Sequence, residues 1–255
     1  MKIRLRQICL VAEKLAPVTD DLKSVLGLEV CFVDPAVGKY GLENVLLPIG
    51  NNFLEVVAPT RDGTAAGRYL ERRQGDGGYM VITQAADHDF YRKRVADLGI
   101  RVVADLKYDD FTGMQLHPRD VGGAILSIDA TTDDCRDPAG SWHPAGPDWK
   151  PARRTEVVSD IRAAELQSPD PTALARRWSE ILDIPVERDA HAVPTINLDN
   201  AVLRFVEAAD GRGEGLGGLD LAATDAARAF AEAERRGLRT GEEEITICGT
   251  RFRLI

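Results

Sequence analysis

The sequence predicts an α+β fold built from one unit repeated four times, and three observations predict it. The order strand, helix, strand, strand, strand recurs along the chain, which is the signature of a repeat architecture. β-Branched and apolar runs are bounded by Gly, Pro, Asn and Asp, and helical stretches stop at glycine, as at Gly27 and Gly99. One stretch rich in Gly, Pro, Asp and Trp, TTDDCRDPAGSWHPAGPDWKPARR, interrupts the repetition and has no periodicity of its own.

In the first unit LRQICLVA reads as a strand, Pro17 to Leu26 as a helix stopped by Gly27, and LEVCFVD, ENVLLPIG and NFLEVVAP as three strands. In the second, GGYMVITQAAD precedes the helix DFYRKRVADLG and the strands IRVVADLKYD, TGMQLHP and GGAILSIDA. After the interruption, IRAAELQSPD leads into the helix PTALARRWSEILD, with Pro171 at its start, and then PVERD, PTINL and AVLRFVEA. The last unit has GGLDLAATD, the helix AARAFAEAERRG, and the strands LRTGEE and EITICGTRFRLI. The halves overlay, NNFLEVVAP on DNAVLRFVEA and LKSVLGLEV on WSEILDIPV. This places an N-terminal domain at 1–130, a linker at 131–155 and a more degenerate C-terminal domain at 156–255.

Composition narrows the function. The 255 residues are 44% hydrophobic, close to the ~45–50% of soluble globular domains, so disorder and fibrous folds are poor readings. A formal net charge of -9 without a basic run argues against nucleic acid or an anionic membrane as partner. No apolar run approaches the ~18 residues of a membrane span. The start, MKIRLRQICLVAEKLAP, scatters charges where a secretory leader needs a continuous apolar stretch, so a cytoplasmic protein is expected. Cys9, Cys31, Cys135 and Cys248 form no C-x-x-C pair and are expected to be buried, reduced thiols.

The βαβββ order together with PVTDDLKSVLGLEV, NNFLEVVAPT and QLHPRDVGGAILSID resembles the vicinal oxygen chelate superfamily of glyoxalases, bleomycin-resistance proteins and extradiol dioxygenases. The first half is similar to methylmalonyl-CoA epimerase. The resemblance implies two tandem domains, each a cupped mixed β-sheet with flanking helices around a pocket for a small molecule. It also implies a divalent ion held by His on the first strand and Glu or Gln on the fourth. Counted with period 2, those positions fall on Gln7 and Glu55, then on Met80 and Ser127. Only Glu55 is a strong ligand and Gln7 a weak one, so no cofactor is expected, with a divalent metal left open. None of His88, His117, His143 and His191 supplies ligand spacing.

In the second domain the corresponding positions are Ala163, Arg204, Gly218 or Asp220, and Arg253. Arginine repels a cation. Arg204 and Arg253, with Arg251, either bind an anionic group or pair with Glu165 and Asp220 to fill a structural cup.

Glu55 in an apolar cup flanked by Gln7, Cys9, Met80 and Ser127 would have its carboxyl raised by desolvation and could serve as a general base alpha to a carbonyl, with Gln7 or Ser127 bonding the oxyanion. Isomerase, epimerase or lyase chemistry is the leading expectation; a non-catalytic sequestration protein of bleomycin-resistance type is the alternative, and a metal-dependent lyase or dioxygenase the third. Tyr40, Tyr79 and Tyr108 are candidates for the cup mouth. His117 reads first as turn chemistry with Pro118, Gly122 and Gly123, and second, with Arg119, as a ligand contact. Trp142, His143 and Trp149 are expected to cover apolar surface, packing across the seam between domains. A homodimer is compatible with this organisation.

Overall fold

The computed structural model describes residues 3–133 and 137–255, so Cys135 lies outside the described residues. The first module comprises β1 (Ile3–Val11), α1 (Leu15–Leu26), β2 (Leu42–Ile49), β3 (Asn52–Pro59) and α2 (Ala65–Arg73). The second comprises β4 (Gly77–Ala85), α3 (His88–Asp97), β5 (Val102–Lys107), β6 (Phe111–Leu116), α4 (Pro118–Val121) and β7 (Ile125–Thr131). The third has β8 (Val158–Ser168), α5 (Pro171–Leu182), β9 (Glu187–Arg188), β10 (Pro194–Asn197) and β11 (Val202–Glu207). The fourth has β12 (Gly215–Ala223), α6 (Ala226–Arg236), β13 (Glu244–Ile247) and β14 (Thr250–Leu254).

The helices form where the pattern asks for them. Val18, Leu22 and Val25 recur at helical spacing on α1 and are buried. Gly27 ends it at φ 68°, and a β-carbon there would stand 2.7 Å from Val157 Cγ2, so both conformation and space select glycine. The other long helices of the modules share one start signal. Asp87, Asp170 and Asp225 each accept the backbone N–H three residues on, from Phe90, Ala173 and Arg228. Each carboxylate satisfies a donor that the first helical turn leaves without a partner.

In all four modules the first and last strands are parallel neighbours in one register: Cys9 beside Glu55, Ile82 beside Ser127, Glu165 beside Arg204 and Asp220 beside Arg253. The pairings between consecutive strands inside a module are antiparallel, including the β2–β3 hairpin that sets Leu46 opposite Glu55.

Four local expectations are corrected. LEVCFVD is not a strand: Phe32 bridges Leu46 in isolation, and Asp34 caps a 3-10 turn over Pro35–Tyr40. LRTGEE likewise keeps only the bridge from Arg239 to Ile245. PVERD shortens to Glu187–Arg188. Conversely, α2 was not expected, although Thr64 caps it by accepting from Gly67 N at 2.9 Å.

The contacts gather the chain into two compact units. The first unit, Met1–Arg6, Tyr79–His143 and Ala163–Leu216, draws on the second and third modules. Its helices α3 and α5 are joined where the Tyr91 hydroxyl donates to Leu182 O at 3.1 Å. Trp178 donates to Gly122 O at 3.1 Å, and Glu214 accepts from Gly123 N at 2.9 Å and from the Ser168 hydroxyl at 3.0 Å.

The second unit, Gln7–Gly78, Pro144–Arg162 and Gly217–Ile255, draws on the first and fourth modules. Arg236 on α6 reaches Asp20 at 2.8 Å and Asp21 at 2.9 Å on α1. Asn52 donates to Asp160 at 2.7 Å. The linker tryptophans are buried, each inside its own unit. Trp142 stands edge-on to Phe111 at 5.4 Å in the first, and Trp149 edge-on to Phe53 at 5.0 Å in the second. Among the described residues no helix is long and apolar enough to cross a membrane.

Candidate active site

The strand register of the second unit assembles a polar group inside an apolar layer. Gln7 and Cys9 share one face of β1, and Glu55, the parallel neighbour of Cys9, shares that face. Asn44 on β2 sits two residues along from Leu46, which is opposite Glu55, so it lies on the diagonal of the same face. All four side chains are buried, while Leu46, Phe53 and Val57 on the same face supply the apolar surface.

Glu55 is held at both oxygens. Gln7 Nε2 donates to Oε2 at 2.8 Å, and Asn44 Nδ2 donates to Oε1 at 2.6 Å. Asn44 is itself oriented, because its Oδ1 accepts from the backbone N–H of Asp34 at 2.9 Å. Burial pushes the Glu55 carboxyl above the ordinary carboxylate range; the bonds from Asn44, Cys9 and Gln7 oppose this, and the charge of Asp34 adds to it. Burial first, and then the charge of Glu55, push the Cys9 thiol well up, so Cys9 is a neutral donor. Cys248 adds in the same direction, and its thiol contacts Val11 O at 3.3 Å.

The superfamily resemblance implies a divalent ion at Glu55, and the donor set does not fit one. Both carboxyl oxygens already face N–H groups, and the Asp34 backbone fixes the Asn44 amide with its nitrogen, not its oxygen, toward Glu55. Amide N–H and thiol donors compete with a cation for the same lone pairs. Among the described residues no three or more His, Cys, Asp or Glu side chains gather in metal-holding geometry.

Gln7, Cys9 and Glu55 are therefore brought together, and Asn44 joins them. Met80, Ser127 and His117 belong to the other compact unit. There the Ser127 hydroxyl donates to Asp129 at 2.6 Å. His117 caps α4, its Nδ1 accepting from Arg119 N at 3.1 Å, with Arg101 at 3.4 Å. Arg204 pairs with Glu165 at 3.0 Å, and Arg253 meets Asp220 with two hydrogen bonds at 3.1 and 2.6 Å. Of the tyrosines, Tyr79 is buried, while Tyr40 and Tyr108 are exposed. Asn44 and Asp129 are the residues that sequence reasoning missed. Asn44 had a signal, a lone polar side chain in period with the apolar Leu42 and Leu46 of its strand, whereas Asp129 shares its face with the polar Ser127 and Thr131.

No family model matches the chain, and no curated protein matches it. Among solved structures, a hypothetical protein from Staphylococcus aureus is similar at 12% identity, covering 100% of this chain and 99% of that one, with a TM-score of 0.68. Methylmalonyl-CoA epimerase from Streptomyces coelicolor, in complex with 2-nitronate-propionyl-CoA, is similar at 22% identity over 51% of this chain and 98% of that one, TM-score 0.44. Methylmalonyl-CoA epimerase from Mycobacterium tuberculosis is similar at 19% identity over 51% and 88%, TM-score 0.45. At such identities the likeness is one of fold. With its repeated modules and its full-length structural relative, the chain has an α+β fold of four modules of one pattern in tandem.

Proposed function

We propose that the protein is a small-molecule isomerase, epimerase or lyase in which Glu55 is the general base acting alpha to a carbonyl. The observation that supports this is the buried Glu55 carboxyl, fixed at each oxygen by a separate amide and raised by desolvation. A base is most effective when its pKa approaches the working pH, and burial moves Glu55 that way while the amides hold its plane. In the step, the C–H bond alpha to the carbonyl breaks, the proton passes to a Glu55 oxygen, and the electron pair becomes that of an enolate. Return of the proton to the other face gives epimerisation; loss of a β leaving group gives a lyase product.

The enolate oxygen needs a donor. Within this unit Gln7 is the expected donor: its amide nitrogen carries two N–H groups, one of which bonds Glu55. Cys9 and Gln7 are the substrate contacts this reading assigns to the second unit.

The second reading is sequestration without turnover, favoured by the same fully engaged carboxyl, which would then be a fixed anchor. Deuterium exchange at the alpha carbon of a panel of carbonyl acids and thioesters, followed by NMR, separates the two. Glu55→Gln should lose exchange by about 10²-fold or more while keeping binding and melting temperature. Full exchange in the variant sinks the general-base reading. Binding without exchange in either protein supports sequestration.

A further inference from the structure

The first unit holds a buried carboxyl that the proposed reaction does not use. Asp129 on β7 is 2% exposed. It accepts from the Ser127 hydroxyl at 2.6 Å and from the backbone of Met114. Gly113 on β6 stands opposite Asp129 in the register. A β-carbon there would be 2.6 Å from Asp129 Oδ1 and 3.1 Å from Phe111 Cε1, so the carboxyl and the ring edge meet over a position that only glycine leaves clear.

Beside Asp129, in parallel register on β4, lies Gln84. Gln84 is also 2% exposed; its Nε2 donates to Thr131 Oγ1 at 2.9 Å, and its Oε1 has no hydrogen-bond partner. A buried acceptor without a donor costs about 1–3 kcal/mol, and a buried carboxylate without a cation costs more. Phe111 is backed by Trp142 at 5.4 Å and by His143 at 5.6 Å.

These features converge on one ligand chemistry. Asp129, once ionised, and Gln84 Oε1 are acceptors; the complement is a cation rich in N–H. A divalent metal would demand several more oxygen ligands, whereas an ammonium is satisfied by a few acceptors. We propose that this face of the second module binds an organic ammonium group, with Asp129 as counter-ion and Gln84 Oε1 as acceptor. Burial pushes the Asp129 carboxyl up to about 8, so it is protonated at neutral pH until a cation holds it as carboxylate. The proposal is independent of Glu55.

The test uses the full chain, calorimetric titration at neutral pH with benzylamine against benzyl alcohol, and ¹³C NMR of the Asp129 carboxyl. Benzylamine should bind at least tenfold more tightly than the alcohol, and its binding should shift the Asp129 signal toward the carboxylate position. Asp129→Asn and, should that variant fold poorly, Gln84→Ala should each weaken amine binding about tenfold, with alcohol binding unchanged. Equal affinity for amine and alcohol overturns the proposal. So does unchanged amine binding in a folded variant, or an Asp129 signal that stays protonated at saturating amine because the proton is shared with Gln84.

Discussion

Asn44 shows how much one side chain can decide about another. It spends its oxygen on the Asp34 backbone and its nitrogen on Glu55. Asn44→Ala should cost about 1–3 kcal/mol of stability and move the Glu55 carboxyl further up, because a bond that favours the charged form is lost. A ¹³C titration of the Glu55 carboxyl reads the shift, and an unchanged midpoint would show that the contact does not act on Glu55. Asp129 makes a second prediction with a definite sign. Folded, its carboxyl titrates near 8, against about 4 in an unfolded chain, so between these limits the folded state holds a proton the unfolded state has released. Stability therefore falls as pH rises from about 4 to about 8. Asp129→Asn should make calorimetric stability less dependent on pH across that window. The slope should not vanish, because Glu55 is raised in the same direction.

Secondary structure was legible where two signals coincided. The aspartate caps plus apolar helical spacing mark α3, α5 and α6, and a buried, largely apolar run beside glycine marks β4 and β12. LEVCFVD had only β-branched and aromatic content, which says nothing about whether a partner edge is present; Asp34 and Pro35 instead start a turn there. Helix α2 was overlooked although Thr64 caps it and Ala66, Leu70 and Arg73 follow at helical spacing, since its mostly polar face hides the short apolar stripe. Asn44 lies outside the ligand pattern, which falls on the first and last strands of a module, whereas Asn44 is on β2. The caps are testable as a class. Asp170→Ala should destabilise by about 1 kcal/mol, visible in denaturant melts, and an unchanged midpoint would assign the start of α5 to Pro171 alone.

For the whole molecule, the repeat was readable but the grouping of its copies was not, since modules of one pattern leave no mark of which copies share a core. Each compact unit takes segments from before and after the linker. Cutting the chain at the exposed Pro147–Asp148 step should therefore leave the two pieces associated in native gel filtration, parting only in denaturant. Pieces that separate without denaturant would show that the shared cores contribute little.

The register common to all four modules has a consequence for how such a chain can change. Where the first module sets Cys9 beside Glu55, the third sets Glu165 beside Arg204 and the fourth sets Asp220 beside Arg253. Glu165, Arg204 and Asp220 are each less than a fifth exposed, so replacing one partner leaves the other without its counter-charge in a poorly solvated place. The common register thus puts different chemistry at one place in the repeat: a buried carboxyl beside a thiol in the first module, and a carboxylate paired with an arginine in the third and fourth.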